Sequence, residues 1–399
     1  MRILMIAPEP FFEPRGTPFS EYHRIRALLD LGHTVDLVTY PFGRDVELPG
    51  LTIFRCARPP LIRRVRIGPS WAKLSLDLAL SVTAARRALV GRYDAVHSHE
   101  EGALIGVLLA RALGVPHLYD MHSSLPQQLE NFAFTRSRLV VRAFAWLERF
   151  VVRRSSVIIV ICAQLFDVVR AIDATVPTVL IENAPGSGEA PTAGTGARVR
   201  ADLGLSPDTP VALYTGTFEA YQGLDLLFTA MRVVSARQPR ARLVLVGGEA
   251  AQVAREQARA REMGVAGAVL FVGQRPAEEI PAFLDAADLL VSPRSTGTNT
   301  PLKIYQYLRA GKPIVATRLL THTQVLDDGV ATLTGATAEE FAAGMLAMFD
   351  DRARGARLGE NAKRLAETRY TYEAYLERTR QACAHLTGRA TPQVAGGMA

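Results

Sequence analysis

The feature that most constrains the fold is an alternation of short apolar runs with helical stretches, and it occurs twice along the chain. In the first half the apolar runs are Ile3–Ala7, Val35–Tyr40, Thr52–Phe54, Ala95–His97, His117–Asp120, Val157–Ile161 and Thr178–Ile181. In the second half they are Val211–Thr215, Leu243–Val246, Val269–Val272, Leu289–Val291, Ile314–Ala316 and Ala331–Leu333. Such alternation is typical of parallel strands joined by crossover helices. We therefore predict an α/β protein with two doubly wound, Rossmann-like domains and a ligand-binding cleft between them.

A change in composition separates the two series. Residues 183–197 are rich in Pro, Gly and Ala and carry almost no bulky apolar side chain, which indicates a linker. We predict a first domain at residues 1–183, a linker at 184–209 and a second domain at 210–370. A terminal helix at 371–388 and a disordered tail at 389–399 complete the prediction.

The composition indicates a globular protein of the reducing cytoplasm. Hydrophobic residues make up 48% of the chain and charged residues 21%, which excludes a disordered chain. Cys56, Cys162 and Cys383 are too few and too scattered for a disulfide framework or a zinc site, and Cys162 is expected in the core. The segment Met1–Pro8 lacks the layout of a signal peptide, and no window reaches the ~18 apolar residues of a membrane span.

Two segments combine basic and apolar side chains. Residues 55–73 hold Arg55, Arg58, Arg63, Arg64, Arg66 and Lys73 without an acid, and residues 136–154 hold six further Arg residues interleaved with aromatic ones. Both patterns suit an anionic membrane surface, although a solvated basic face over ordinary core-facing helices fits equally well. Nucleic acid is not expected as a partner, because no recognised nucleic-acid-binding module is present.

A polar loop between a strand and a helix is the strongest candidate binding site. The apolar run that ends at Val291 passes into a loop rich in Gly, Thr, Asn and Pro, and a helix follows that ends at Gly311. Free backbone N–H groups at such a helix start attract anions. Arg294 and Lys303 flank the loop, and Gln306 lies three residues after Lys303, on the same helix face. We predict a site for a nucleoside-diphosphate sugar. A nicotinamide cofactor is not expected, since Pro8-Glu9-Pro10 stands where a dinucleotide fingerprint would need glycines.

Several short motifs occur in an order that matches one known family. They are Gly32-His33-x-Val35, His97-Ser98-His99, Glu182-Asn183-Ala184-Pro185, Gly216-Thr217-Phe218-Glu219, Gly223-Leu224-Asp225-Leu226-Leu227, Leu245-Val246-Gly247-Gly248 and Ala310-Gly311-Lys312-Pro313. Over residues 1–385 the chain resembles a family 4 (group 1) glycosyltransferase of the GT-B fold. The resemblance implies retaining transfer of a hexose-type sugar from a nucleoside diphosphate to a hydroxyl acceptor, such as a lipid-linked or cell-surface glycan.

The chain departs from the family pattern at four charged positions. The resemblance places Thr298 and Gln306 where the family commonly has two Glu residues, and Thr217 and Gln222 where it often has Arg and Lys. Because two acidic and two basic residues are both replaced by neutral ones, the net charge around the site stays similar. We expect Arg294 and Lys303 to neutralise the diphosphate and Gln306 to hydrogen-bond the ribose or sugar. The predicted donor-binding residues are Arg15, Gly16, Gly216, Thr217, Gln222, Arg294, Thr298, Asn299, Thr300, Lys303 and Gln306.

Two histidines are the candidates for the reacting centre. His122 follows the fifth strand, where the family usually has a histidine near the sugar ring, and His99 is the second candidate. Either could instead be a buried structural residue, just as Arg294 and Lys303 could be ordinary surface cations. We expect no metal and no other cofactor, because His97 and His99 lack further ligands in the sequence pattern. A sugar-nucleotide epimerase and a non-catalytic sugar-nucleotide-binding partner subunit are the alternative functions.

Overall fold

The structure is a computed structural model that describes residues 1–12, 16–60, 62, 71–127, 137–183 and 194–388. It divides into two compact units: Met1–Pro185 with Glu373–Ala399, and Gly186–Tyr372. The predicted tail at 389–399 and residues 184–193 of the predicted linker lie outside the described residues. None of the helices in the described parts of the chain combines the length and the apolar character that a bilayer-crossing segment needs.

The first unit contains a seven-stranded parallel sheet in the order β3-β2-β1-β4-β5-β6-β7. Its strands are β1 (Arg2–Ala7), β2 (Thr34–Thr39), β3 (Leu51–Arg55), β4 (Ala95–His99), β5 (His117–Met121), β6 (Val157–Val160) and β7 (Thr178–Leu180). The central strands β1, β4, β5 and β6 are buried almost throughout. Helices on both faces of the sheet explain why these strands appear in the sequence as continuous apolar runs.

The direction of each crossover decides which face of the sheet a helix covers. The helices of the first unit are α1 (Gly16–Asp30), α2 (Trp71–Val90), α3 (Ala103–Leu113), α4 (Arg138–Arg154), α5 (Ala163–Ile172) and the terminal α14 (Tyr372–Leu386). The connections from β1 to β2 and from β2 to β3 run in one direction along the sheet, and those from β3 onward run in the other, so right-handed crossovers place α1 opposite α2–α5. Ile25 and Leu28 of α1 share a core cluster with Cys383 of α14. The terminal helix therefore belongs to the first unit.

The second unit contains a six-stranded parallel sheet in the order β10-β9-β8-β11-β12-β13. Its strands are β8 (Val211–Thr215), β9 (Arg242–Val246), β10 (Val269–Gly273), β11 (Leu289–Ser292), β12 (Ile314–Thr317) and β13 (Thr332–Thr334). Its helices are α6 (Thr195–Asp202), α7 (Leu224–Arg237), α8 (Ala250–Glu262), α9 (Ile280–Ala286), α10 (Leu302–Ala310), α11 (Leu320–Thr323), α12 (Ala338–Asp350) and α13 (Arg352–Arg369). Tyr214, Phe228 and Phe341 are among the side chains that fill its core.

Helix α6 lies inside the segment that the sequence predicted as a linker. The Gly196 backbone N–H donates to Asp285 Oδ2 at 2.7 Å, and a Cβ on Gly196 would lie 2.4 Å from the Ala286 nitrogen. Arg200 donates to the Ala286 carbonyl and to Asp288 Oδ2, both at 2.8 Å. Helix α6 is thus a packed part of the second unit. Val199 is its one large apolar side chain, so it lacks the apolar periodicity by which a helix is recognised in a sequence.

Candidate functional site

Two clusters of polar side chains stand out, one in each unit, and each lies where strands of the sheet end. In the second unit the cluster surrounds the loops that follow β8 and β11. Gly216, with φ of +138°, directly follows β8, and a Cβ there would lie 3.0 Å from Lys303 Nζ. Only glycine leaves room for the ammonium group to lie against the backbone of this loop.

Lys303 lies in the first turn of α10, and its side chain is buried. Nζ donates to Gln222 Oε1 at 3.2 Å and lies 3.7 Å from the ring centroid of Tyr214. Burial, and then the nearby charge of Arg294, lower the pKa of Lys303 well below its usual value. A lysine held among neutral groups in this way is poorly stabilised in its charged form.

Arg294 follows β11 and is held by one oxygen atom of its own loop and one of α11. Nη1 donates to the Asn299 carbonyl at 2.6 Å and to Thr321 Oγ1 at 2.7 Å. The guanidinium carbon lies 4.9 Å from the ring centroid of Tyr221. Nε is buried and has no hydrogen-bond partner among the described residues, so the guanidinium keeps a donor for a further acceptor.

The two cations lack a counter-charge. Within the described part of the chain, neither Lys303 nor Arg294 forms an ion pair with a carboxylate, and their partners are an amide, a hydroxyl, a carbonyl and aromatic rings. Cations buried without a carboxylate partner are costly, and a bound anion would remove that cost. The cluster is therefore suited chemically to a phosphate or diphosphate group.

The other predicted donor residues differ in their environments. The Thr217 carbonyl accepts from the Tyr214 hydroxyl at 2.7 Å, and the Thr298 carbonyl accepts from Gln324 Nε2 at 2.6 Å. Thr300 Oγ1 is buried and has no hydrogen-bond partner among the described residues. Gln306 is exposed on α10 while Lys303 is buried, so the shared helix face that the sequence suggested does not give the two side chains a common environment.

The loop geometry predicts a large effect of substituting Gly223, which has φ of +76° and precedes α7. A Cβ at this position would lie 1.9 Å from the Pro293 carbonyl oxygen, so the loops after β8 and β11 would have to separate. We expect Gly223→Ala to lower the free energy of unfolding by at least about 2 kcal/mol, measured by urea denaturation. Gly264→Ala is the matched control, because φ there is +72° and no atom lies within 4 Å of the added Cβ. It should cost only about 1 kcal/mol. Equal losses would show that the close approach at Gly223 is unimportant.

In the first unit the cluster consists of alternate residues at the ends of two paired strands. His97 and His99 lie on β4, Asp120 lies on β5 opposite His99, and His122 follows β5. The His97 and His99 rings are stacked with centroids 4.7 Å apart, and the His99 and His122 centroids are 5.5 Å apart. Residues two apart on a strand face the same side of the sheet, which gathers these four side chains.

A buried ion pair organises this cluster. Arg24 Nε on α1 donates to Asp120 Oδ2 at 2.8 Å, and Arg24 Nη1 donates to Thr379 Oγ1 of α14 at 3.0 Å. His122 Nε2 lies 3.2 Å from Asp120 Oδ1. Burial alone would raise the pKa of Asp120, but Arg24 and then His122 lower it well below its usual value. Asp120 is therefore ionised and can orient the His122 ring.

Further groups near the cluster are kept neutral by burial. Burial lowers the pKa of His97, and lowers that of His99 further, so both rings are uncharged. Burial raises the pKa of Glu100 to about 8, and Ser123 Oγ donates to Glu100 Oε2 at 2.7 Å. Burial, followed by the charge of Glu9, raises the pKa of Glu21. Neutral imidazole and carboxyl groups can both donate and accept hydrogen bonds, as recognition of hydroxyl groups requires.

The sequence pattern missed the third potential metal ligand near the two histidines. One ligand atom from each of His97, His99 and Asp120 falls within a common 4.8 Å. However, the Arg24 guanidinium already neutralises the Asp120 carboxylate, and it would repel a divalent cation placed there. The chemistry of this donor set therefore favours a hydrogen-bonding site over a metal centre.

His99 and His122 were predicted from the sequence, but the neighbouring ion pair of Asp120 and Arg24 was not. Asp120 could have been found, since it and His122 repeat the period-two spacing of His97 and His99 at the end of the neighbouring strand. Arg24 could not, because nothing local in α1 distinguishes it from other helix arginines. The predicted loop residue Arg15 lies outside the described residues, and Gly16 is the first residue of α1.

Two family models match the chain, and together they cover most of it. Residues 22–184 match the model described as "Glycosyl transferase 4-like domain", and residues 197–365 match the one described as "Glycosyl transferases group 1". A D-inositol 3-phosphate glycosyltransferase of Corynebacterium aurimucosum is 26% identical over 68% of this chain and 66% of its own length. An alpha-D-kanosaminyltransferase of Streptomyces kanamyceticus is 26% identical over 76% of this chain and 80% of its own length.

Solved structures share the fold. The sucrose-phosphate synthase of Thermosynechococcus elongatus superimposes with a TM-score of 0.79 at 20% identity, covering 98% of this chain and all of its own. The Anabaena protein Alr3699/HepE, solved in complex with UDP, gives a TM-score of 0.73 at 18% identity and covers 97% of this chain and all of its own. The predictions of family and fold class are confirmed: the chain belongs to the group 1, family 4-like glycosyltransferases, and its two parallel-sheet units are the Rossmann-like domains of the GT-B fold.

Proposed function

We propose that the protein transfers a hexose-type sugar from a nucleoside diphosphate to a hydroxyl acceptor, with retention at the anomeric carbon. The observation that carries this proposal is the pair of buried Lys303 and half-buried Arg294, whose partners in the described chain are all neutral. A diphosphate would supply the missing counter-charge, and the two cations would stabilise the charge that develops on the leaving group. Charge neutralisation by these side chains makes a metal ion unnecessary at this step in our proposal.

In this proposal the first unit binds the acceptor. Neither ring nitrogen of His99 has a hydrogen-bond partner among the described residues, and Glu100 is protonated below a pKa of about 8. Such groups suit a polyhydroxylated acceptor, and we propose a lipid-linked or cell-surface glycan. His122, oriented by Asp120, would contact the transferred sugar and exclude water from it. In retaining transfer with attack and departure on one face, no enzyme base is needed.

A labelled-sugar assay tests the proposed transfer. Purified protein is incubated with radiolabelled UDP-sugars and GDP-sugars and with a bacterial membrane extract. UDP-sugars come first because the Anabaena structure of the same fold was solved with UDP-glucose. Label that moves into the lipid or polysaccharide fraction supports the proposal. A chemically altered nucleotide sugar would support an epimerase instead, and binding without turnover would support a non-catalytic subunit.

The variant His122→Ala distinguishes the role proposed for the first unit in sugar transfer from the role proposed for the second unit in nucleotide binding. We expect transfer to fall about 100-fold, since a group that acts only on the reacting sugar contributes to kcat rather than to nucleotide binding. The dissociation constant for UDP, measured by calorimetry, should change less than twofold. His33→Ala is the control, because His33 lies in the turn before β2 and its side chain hydrogen-bonds the N-terminal amine. If His122→Ala retained full transfer, His122 would have only a structural role.

A further inference from the structure

Helices α2, α3 and α4 form one continuous outer layer on the first unit, with α3 packed between the other two. We call the solvent-exposed side of these three helices the outer helical face. Its exposed charged residues are Arg86, Arg111, Arg138, Arg142, Arg149, Arg153 and Arg154. Not one exposed Asp or Glu occurs in these three helices, all of whose acidic residues the structure describes. The acids that are present, Asp77 and Glu148, are turned inward onto Tyr40 and onto Ser124.

The opposite helical layer of the same unit has no such bias. Helix α1 exposes Arg26 and Asp30, while α14 exposes Arg380 together with Glu373 and Glu377. Helix α5, beyond α4, exposes Asp167 and Arg170 as a balanced pair. The basic character is therefore a property of one face and does not simply reflect the composition of the unit.

The outer helical face also exposes large apolar side chains between its arginines. They are Leu74, Leu78 and Val82 on α2, Leu108 on α3, and Leu139 and Trp146 on α4. Leu139 is 77% exposed and Trp146 is 66% exposed. Leu139, Arg142, Trp146, Arg149 and Arg153 follow one another at helical spacing, so they form a single stripe along α4. The Trp146 ring stacks on Phe150 at 5.7 Å between centroids, which supports it on the surface.

We propose that the outer helical face docks on a membrane surface that contains anionic phospholipids. Arginines meet the phosphate groups, while Leu139, Trp146 and the α2 leucines enter the boundary between headgroups and acyl chains, as in amphipathic helices that lie in the interface. The exposed aliphatic side chains favour a bilayer over a nucleic acid, which offers them no apolar layer. This inference refines the proposed function, because a lipid-linked acceptor lies at such a surface, but the docking itself needs neither donor nor turnover.

Binding of the full chain to vesicles tests the proposal. The protein should co-sediment with vesicles of phosphatidylcholine and phosphatidylglycerol, and it should not co-sediment with vesicles of phosphatidylcholine alone. Each arginine near an anionic surface contributes about fivefold in affinity, so Arg142→Gln/Arg149→Gln should bind about 25-fold more weakly. The variant Leu139→Ala/Trp146→Ala should bind the vesicles at least about tenfold more weakly, because it loses apolar contacts with the membrane interface. Since the chain has only two tryptophans, Trp71→Phe isolates Trp146, whose fluorescence should shift to the blue on binding.

The matched control is Arg26→Gln/Arg380→Gln, which removes the same charge from the opposite layer of the same unit. It should retain vesicle binding. The proposal is overturned if anionic vesicles do not bind the protein, if the control loses as much affinity as the α4 arginine variant, or if Trp146 fluorescence stays unshifted. Preferential binding to duplex DNA would also overturn it. Calorimetric titration of the same preparations with UDP keeps the outcome separate from the proposed transfer, since donor binding should be equal in all variants.

Discussion

Replacing Lys303 with methionine is expected to weaken UDP binding about 100-fold and, at the same time, to stabilise the unliganded protein. Lys303 Nζ is buried against Gln222 and the Tyr214 ring, and its pKa is lowered by burial and by Arg294. A charge-assisted hydrogen bond to a phosphate contributes up to about 3 kcal/mol, which the variant loses. Without ligand, however, methionine fills the same space and removes a buried cation without a counter-charge. Calorimetry with UDP and thermal denaturation would measure the two opposite changes.

Lys312→Met is the control for this prediction. Lys312 Nζ donates to the Asp285 carbonyl at 3.0 Å, outside the cluster around Gly216, so its loss should leave UDP affinity within about twofold.

Proton uptake on UDP binding provides an independent check of the role of Lys303. Because a bound diphosphate favours the charged form of Lys303, binding raises its pKa, and the wild-type protein should take up protons at mildly alkaline pH. Uptake would appear as a dependence of the binding enthalpy on the buffer. Similar losses in both variants, or no buffer dependence of the enthalpy, would refute our assignment of Lys303.

The fold could be predicted from the sequence because parallel strands carry a strong local signal. Each predicted apolar run is a strand in the structure, from β1 at Arg2–Ala7 to β13 at Thr332–Thr334, with ends that differ by one or two residues. Helices with few large apolar side chains gave no such signal. Helix α6 is held by Arg200 and Gly196, and α13 at Arg352–Arg369 is rich in charged residues. The attachment of α14 to the first unit depends on contacts between residues more than 350 positions apart, such as Arg24 with Thr379.

The candidate sites could be predicted only in part, for a similar reason. Lys303 and Arg294 could be proposed as site residues because a loop between a strand and a helix is a local pattern with a known preference for anions. Their environment was not predictable, since Gln222 and Tyr214 reach Lys303 from another loop and another strand. The exposure of each side chain could not be predicted either. Gln306 and Lys303 share a helix face by their spacing, yet Gln306 is exposed and Lys303 is buried. Asp120 could have been inferred from its period-two spacing with His122, but its ion pair with Arg24 of another element could not.

Replacing Arg24 with methionine is expected to destabilise the protein more than any other single change considered for the first unit. Arg24 is 1% exposed, and it donates to Asp120 at 2.8 Å and to Thr379 at 3.0 Å. Its guanidinium also lies 4.8 Å from the Tyr375 ring of α14. Without Arg24 the Asp120 carboxylate is a buried charge beside the rings of His97 and His122, and it has lost its guanidinium partner. Removing one partner of a buried ion pair costs about 3–5 kcal/mol, which urea denaturation would measure.

The double variant Arg24→Met/Asp120→Asn distinguishes an unpaired charge from lost packing. If the charge is responsible, the double variant should recover at least about 2 kcal/mol of the loss, because no carboxylate is left unpaired.

The pH dependence of the free energy of unfolding gives the same test without a second substitution. In the wild-type protein Arg24 keeps the pKa of Asp120 low, so the pair's stabilisation is lost as the pH falls through that value. In Arg24→Met, burial raises the pKa of Asp120 above its unfolded value, so protonation relieves the cost. The difference in stability between the two proteins should therefore shrink as the pH is lowered from 7 toward 5. A difference that does not change with pH, together with no recovery in the double variant, would mean that Arg24 acts through packing against α14 alone.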